Sequence, residues 1–108
     1  MNVKDRNYAM QWLIKTYPLS FKLTDRRPLK LNISDDILAV ENDTRPSKNA
    51  LLDALNYYCQ WGSYLNALKE GRERIDLDGK VAGVVTLAEQ LKAESVLAEA
   101  AKKLNKST

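Results

Sequence analysis

The stretch RERIDLDGKVAGVV, residues 72–85, governs how the rest of the chain is read. It sets D-x-D-G between two short β-like runs, a pattern met in calcium loops and in metal-dependent phosphatases. An EF-hand loop needs an oxygen ligand at its fifth position and glycine at its sixth. Counted from Asp76 those positions are Lys80 and Val81, so that loop cannot form. A phosphatase-type D-x-D-x-T/V would end on Lys80, and no Gly-rich phosphate loop supports it. The stretch reads instead as a β-hairpin, because Asp-Gly suits a two-residue type I′ turn, in which both central residues need φ > 0. The turn is expected at Asp78–Gly79. Asp76 then lies inside the first strand, where its carboxylate has either a structural partner or a ligand hydroxyl to accept.

A hairpin needs a neighbour, and PLKLNI, residues 28–33, alternates suitably: Leu29, Leu31 and Ile33 point one way, Lys30 and Asn32 the other. It is expected as a half-buried strand with Lys30 on its open face. Elsewhere the spacing is helical. Tyr8, Ala9, Trp12, Leu13 and Thr16 share a face of a first helix, which Pro18 ends near Tyr17. The basic loop KLTDRRP follows, with Arg26 and Arg27 side by side. Ser34 is the expected N-cap of a short helix whose Asp35 and Asp36 oppose the helix dipole. Ser47 caps a third helix with the stripe Leu51, Ala54, Leu55 and Tyr58, and with Leu52 and Cys59 at its margins. A fourth helix stops at Gly71. Thr86 and Glu89 form a capping box for a last helix, with Leu87, Leu91, Val96 or Leu97, Ala101 and Leu104 as its stripe. The fold class expected is α+β and mostly α-helical, with about five helices around a small sheet made of one strand and a β-hairpin.

Composition excludes much chemistry. At 108 residues the chain is expected to be one domain with a single modest core. Histidine is absent, which removes imidazole catalysis and His metal sites. A lone cysteine, Cys59, removes zinc-finger sites and internal disulfides, fits a reducing compartment and reads as an inert packing thiol. No apolar run approaches the ~18 residues that span a bilayer, and no secretory signal opens the chain. The expectation is a cytoplasmic protein that is not an enzyme, without metal, cofactor or membrane partner.

Charge points to a partner class. Residues 1–30 hold seven Lys/Arg and two Asp, a balance of +5, while residues 31–108 hold ten Lys/Arg and twelve Asp/Glu, a balance of −2. A one-sided positive surface is the minimum requirement for holding a phosphate backbone. Ser47 as N-cap with Lys48 at the first helical position is a ready phosphate site, although an ordinary cap with a solvated lysine has the same sequence. Trp12, Tyr57, Tyr58, Trp61 and Tyr64 serve equally as core or as stacking platforms, with core the default.

The strings WLIKTYPLSF, RPLKLNI, SKNALLDALNYY and YLNALKEGRERIDLDGKVAGVVT, in that order, resemble the ProQ/FinO family of bacterial RNA chaperones. The match runs over about residues 12–89, leaving a C-terminal helix at 90–104 and a frayed tail at 105–108, and the chain resembles a minimal single-domain member. The resemblance implies an α-rich monomer with a small sheet and a positively charged concave face. Its partners would be structured RNAs, small RNAs and mRNA 3′ ends among them, bound at the base of a terminator hairpin and at the U-rich 3′ end. Carried over residue by residue, Arg27 and Lys30 match the R-P-L-K positions, and Ser47 and Lys48 match the phosphate-binding helix start. Tyr64 matches a pocket tyrosine, and Arg74 and Asp76 match positions beside that pocket. Arg72 and Lys80 add charge by position alone. Where better-known members carry arginines, this chain has Leu52, Asn56 and Ser63. That implies weaker binding, a compensating patch from Lys4, Arg6, Lys15 and the tail lysines, or an adaptor of the same fold that binds a protein.

Overall fold

The structure, a computed structural model, describes residues 3–40 and 42–106, with side chains as far as residue 103. The expected place of Leu104 in the last apolar stripe, and the fraying of residues 107 and 108, fall outside what is described. Five helices follow one another: α1 Val3–Thr16, α2 Ile33–Ala39, α3 Lys48–Gln60, α4 Gly62–Lys69 and α5 Leu87–Lys106. α1 packs on α3, and α4 packs on α5. Between these pairs sits a core of Leu13, Phe21, Ile37, Leu51, Tyr58 and Ile75. Aromatic rings run through it in a chain of edge and tilted contacts, Trp12–Tyr17–Phe21–Tyr58–Tyr64, with centroids 5.3–6.5 Å apart.

The local signals set most helix ends. Ser47 Oγ accepts the amide of Ala50 at 3.2 Å, and Thr86 and Glu89 exchange the two bonds of a capping box. α4 closes in a Schellman motif: with Gly71 at φ +72, the amides of Gly71 and Arg72 reach back to the carbonyls of Leu68 and Ala67. α2 departs from expectation. It starts at Ile33, with Asn32 in the left-handed region (φ 61) and no side-chain cap.

The small sheet does not form. Among the described residues there is no strand, only two isolated bridges, Leu29 with Ile75 (parallel) and Ile75 with Val81 (antiparallel). Pairing stops on one side because Pro28 has no amide to give and Asn32 turns the chain into α2. It stops on the other because the turn begins at Asp76. That turn is one residue longer than expected. Gly79 donates to Asp76 O, the amide of Asp76 donates to Lys80 O, and only Gly79 (φ +78) has positive φ. This is a three-residue loop with glycine at the left-handed position, rather than a type I′ pair.

Two further expectations change. Leu31 is exposed rather than turned inward. α5 lays Ala93 on α4, flanked by Glu89 and Leu97 at four-residue spacing, while Leu87, Leu91 and Val96 are exposed. No helix among the described residues is long and apolar enough to cross a membrane.

Gly79 gives a direct test of the turn. A Cβ there would stand 2.9 Å from Leu19 Cβ in a left-handed conformation. Gly79→Ala is expected to lower stability by about 1–2 kcal/mol in urea denaturation.

Candidate nucleic-acid interface

A groove of about 340 Å³ opens between the start of α2, one side of α3 and the end of the 28–30 segment. Its lining includes Lys30, Leu52, Asn56, Cys59, Tyr64 and Arg74. Lys48 continues the same side of α3, four residues before Leu52. Of the residues singled out from sequence, the fold therefore gathers Lys30, Tyr64 and Arg74 along one groove, while Ser47 and Lys48 lie outside its lining at the start of α3.

The wall is built from Leu29 outward. Its amide donates to the Tyr64 hydroxyl at 3.0 Å, and its carbonyl accepts from Arg74 Nη1 at 2.7 Å. Both backbone groups are thus satisfied by side chains where a sheet would have used a ladder. Burial pushes the Tyr64 phenol well above the usual tyrosine range, with the Cys59 thiol adding to the effect. Tyr64 stays neutral and keeps its hydroxyl for hydrogen bonding. Burial also pushes the Cys59 thiol up, as befits an unreactive side chain.

Arg74 is 6% exposed. Its second nitrogen, Nη2, bonds Glu89 Oε2, whose other oxygen accepts the Thr86 amide in the capping box. The Thr86 backbone contact, together with Thr86 Oγ1 and Arg74, holds the Glu89 carboxyl below its ordinary value of 4.5. Lys30 pairs with Asp36 at 2.8 Å, and that hydrogen bond raises its pKa, with Asp76 adding a weaker pull. The pair is half-exposed, with the two side chains 40% and 35% accessible.

The other sequence candidates lie elsewhere. Arg72 pairs with Asp25 at 3.0 Å on the surface, and Arg27 is half-buried away from the groove lining. Asp76 Oδ1 accepts the amides of Asp78 (2.9 Å) and Lys80 (3.0 Å), so its carboxylate braces the turn. Lys80 is exposed beyond that turn. Asn32 and Cys59 also line the groove, and the seven-residue spacing of Cys59 from Leu52 on α3 marks it for the same side; Leu52 and Asn56 stand there at positions where the resemblance expects arginines. Among the described residues no cluster could hold a metal ion.

The ProQ/FINO family model matches residues 3–108. The chain belongs to the ProQ/FinO family. It is 37% identical over 98 residues to the RNA chaperone ProQ of Pasteurella multocida, covering 89% of this chain and 47% of that protein. It is 34% identical over 105 residues to the RNA chaperone ProQ of Idiomarina loihiensis, covering 93% of this chain and 50% of that protein. The chain thus spans about half the length of these curated ProQ relatives. Among solved structures, a ProQ homolog from Legionella pneumophila superposes with TM-score 0.73 at 33% identity, covering 92% and 85% of the two chains. The FinO-like RNA chaperone NMB1681 of Neisseria meningitidis has the same fold, with TM-score 0.73 at 24% identity and coverage of 96% and 83%. A ProQ/FinO fold is therefore reached here with single bridges in place of a sheet.

The capping-box carboxylate predicts a pH signature. With its pKa depressed on folding, Glu89 contributes stability that is present above its ordinary 4.5 and is lost as pH falls through the lower folded value. Glu89→Gln should flatten that acid limb in urea melts collected from pH 6 downward, while Asp25→Asn controls for the other depressed carboxyl.

Proposed function

We propose that this domain is an RNA-binding protein acting as an RNA chaperone. Its targets are the base of intrinsic-terminator hairpins and the single-stranded U-rich 3′ end of small RNAs and mRNAs. It acts as a monomer in post-transcriptional regulation in the cytoplasm, and no bond is made or broken. The observation that carries the reading is that Lys30, Arg74 and Tyr64 line one groove, with the capped start of α3 one helical turn before the groove residue Leu52. Curated relatives named RNA chaperones support it.

The physical account follows from A-form geometry. A deep, narrow major groove hides the base edges of duplex RNA, so phosphate and 2′-hydroxyl contacts dominate recognition. Ser47 caps α3 through Ala50, leaving the amides of Lys48 and Asn49 without an intrahelical acceptor. Those amides and the Lys48 ammonium take strand phosphates near the hairpin base. Lys30 exchanges Asp36 for a phosphate, and the Leu29–Tyr64–Arg74 wall receives the terminal nucleotide. Arg27, Arg72, Asp76 and Lys80 stand outside this lining and act through the surrounding field.

A terminator hairpin ending in a 3′-hydroxyl is expected to bind more tightly than the same RNA ending in a 3′-phosphate. Equal affinity would overturn terminal recognition. Lys48→Ala should weaken binding across sequences and lower the slope of log K against log salt by about 0.7–0.9.

One observation favours a second reading, an adaptor of the same fold with weakened RNA binding. Leu52 is 40% exposed in the groove and offers an apolar surface beside the uncharged Asn56. A gel-shift series across salt separates the two. Nanomolar affinity for the tailed hairpin at physiological salt removes the adaptor, and affinity no better than for unrelated duplex supports it.

A further inference from the structure

The other side of α3 carries a second cleft, of about 490 Å³. At ~100° per residue, Tyr57 lies about 150° round the helix from the groove residues Leu52 and Cys59. The two clefts therefore open on different sides of one helix. Asn7, Gln11 and Lys15 form a row on α1 at four-residue spacing, facing Arg26, Tyr57 and Trp61.

The charge in this cleft is uncompensated, unlike that of the groove. In the groove Lys30 and Arg74 each pair with a carboxylate. The second cleft is lined by two cations and no acid, and Lys15 makes no ion pair among the described residues. Arg26 is 3% exposed, yet no carboxylate meets it. Its Nε and Nη1 donate to the carbonyls of Lys22 and Tyr58, and its guanidinium lies over the Tyr58 and Trp61 rings at 4.0 and 4.9 Å. Trp61, edge-on to Tyr57, is 46% exposed. An exposed indole, two cations and a row of amides suit a planar anion, and base-on-aromatic stacking beside phosphate contacts is how single strands are held.

We propose that this cleft is a second nucleotide-binding site, taking one or two nucleotides of a single strand. The phosphate sits between Lys15 and Arg26, the base lies against Trp61, and the amides of Asn7 and Gln11 meet its edge. An acidic protein segment is the competing occupant, since Ile14 and Leu23 add apolar lining. The amide row and the half-open indole favour the nucleotide. The inference rests on the reading of the protein as RNA-binding. It adds that one domain holds a hairpin in the groove and a separate strand on the other side of α3, which brings two RNAs together.

The test uses the full chain, a decauridylate probe and a blunt hairpin without a tail, followed by amide and indole NMR. Decauridylate is expected to shift the Trp61 indole and Gln11 amide signals and to keep doing so when the hairpin saturates the groove. Lys15→Glu, a change at an exposed position, should weaken decauridylate about tenfold and leave hairpin affinity within about twofold. Lys30→Ala should weaken the hairpin and leave in place the Trp61 and Gln11 shifts that decauridylate produces. Shifts confined to Asn32, Cys59 and Tyr64, displacement of decauridylate by the hairpin, or equal decauridylate affinity for Lys15→Glu and the parent would each overturn the proposal. If Lys30→Ala leaves hairpin binding intact while Lys15→Glu removes decauridylate, the groove reading falls and the second site stands.

Discussion

The buried guanidinium of Arg74 is the constraint on which the rest of the molecule turns. It joins the Leu29 carbonyl, in the groove wall, to Glu89, in the first turn of α5. An arginine this far from water is tolerable only while its partners hold. Leu29, the 74–76 segment and the start of α5 must therefore be placed together. The Tyr64 hydroxyl completes the arrangement by taking the Leu29 amide. Two side chains thus stand in for the neighbouring strand that the sequence pattern calls for.

α3 is where the separate parts meet. Its Leu51, Ala54 and Tyr58 enter the core, its Leu52 and Asn56 line the groove, and its Tyr57 lines the second cleft. A helix with three occupied faces cannot rotate without losing all of them. The aromatic chain through Tyr58 to Tyr64 and the Arg26 stack on Tyr58 fix its rotation from either side. Both buried arginines are anchored by the fold, Arg74 by a carboxylate and a carbonyl, Arg26 by carbonyls and rings.

What the sequence made legible is what is local. Ser47, Thr86 with Glu89, and Gly71 act on amides within a few residues of themselves, and each signal appears in the structure. The α3 stripe was equally readable, because a 3.6-residue period needs no knowledge of what packs on it. Alternation in PLKLNI suggests a strand but carries no sign of Asn32 adopting φ 61, nor of side chains serving Leu29. Arg26 was read as part of a polar loop because its partners, Tyr58 and Trp61, lie more than thirty residues away. In the candidate site, Lys30, Tyr64 and Arg74 came from the family resemblance and do share a groove, whereas Asp76 braces its own turn. Arg72 pairs with an aspartate 47 residues away, which no spacing rule anticipates.

The absence of a ladder has a consequence for motion. In a sheet each backbone bond is backed by its neighbours, so the edge opens only with its whole strand. Here the wall is held by isolated bridges and two side chains, with few bonds that must break together. Leu29, Ile75 and Tyr64 are nevertheless buried in the core, so the wall opens only as that packing is given up, and its opening is tied to the helices it packs against. Hydrogen exchange at the Lys30 and Ile75 amides would then keep pace with exchange in α3. The groove is thus bounded on both sides by residues of one core, α3 on one and the Leu29–Ile75 segments on the other, and its outline is set by the packing of that core.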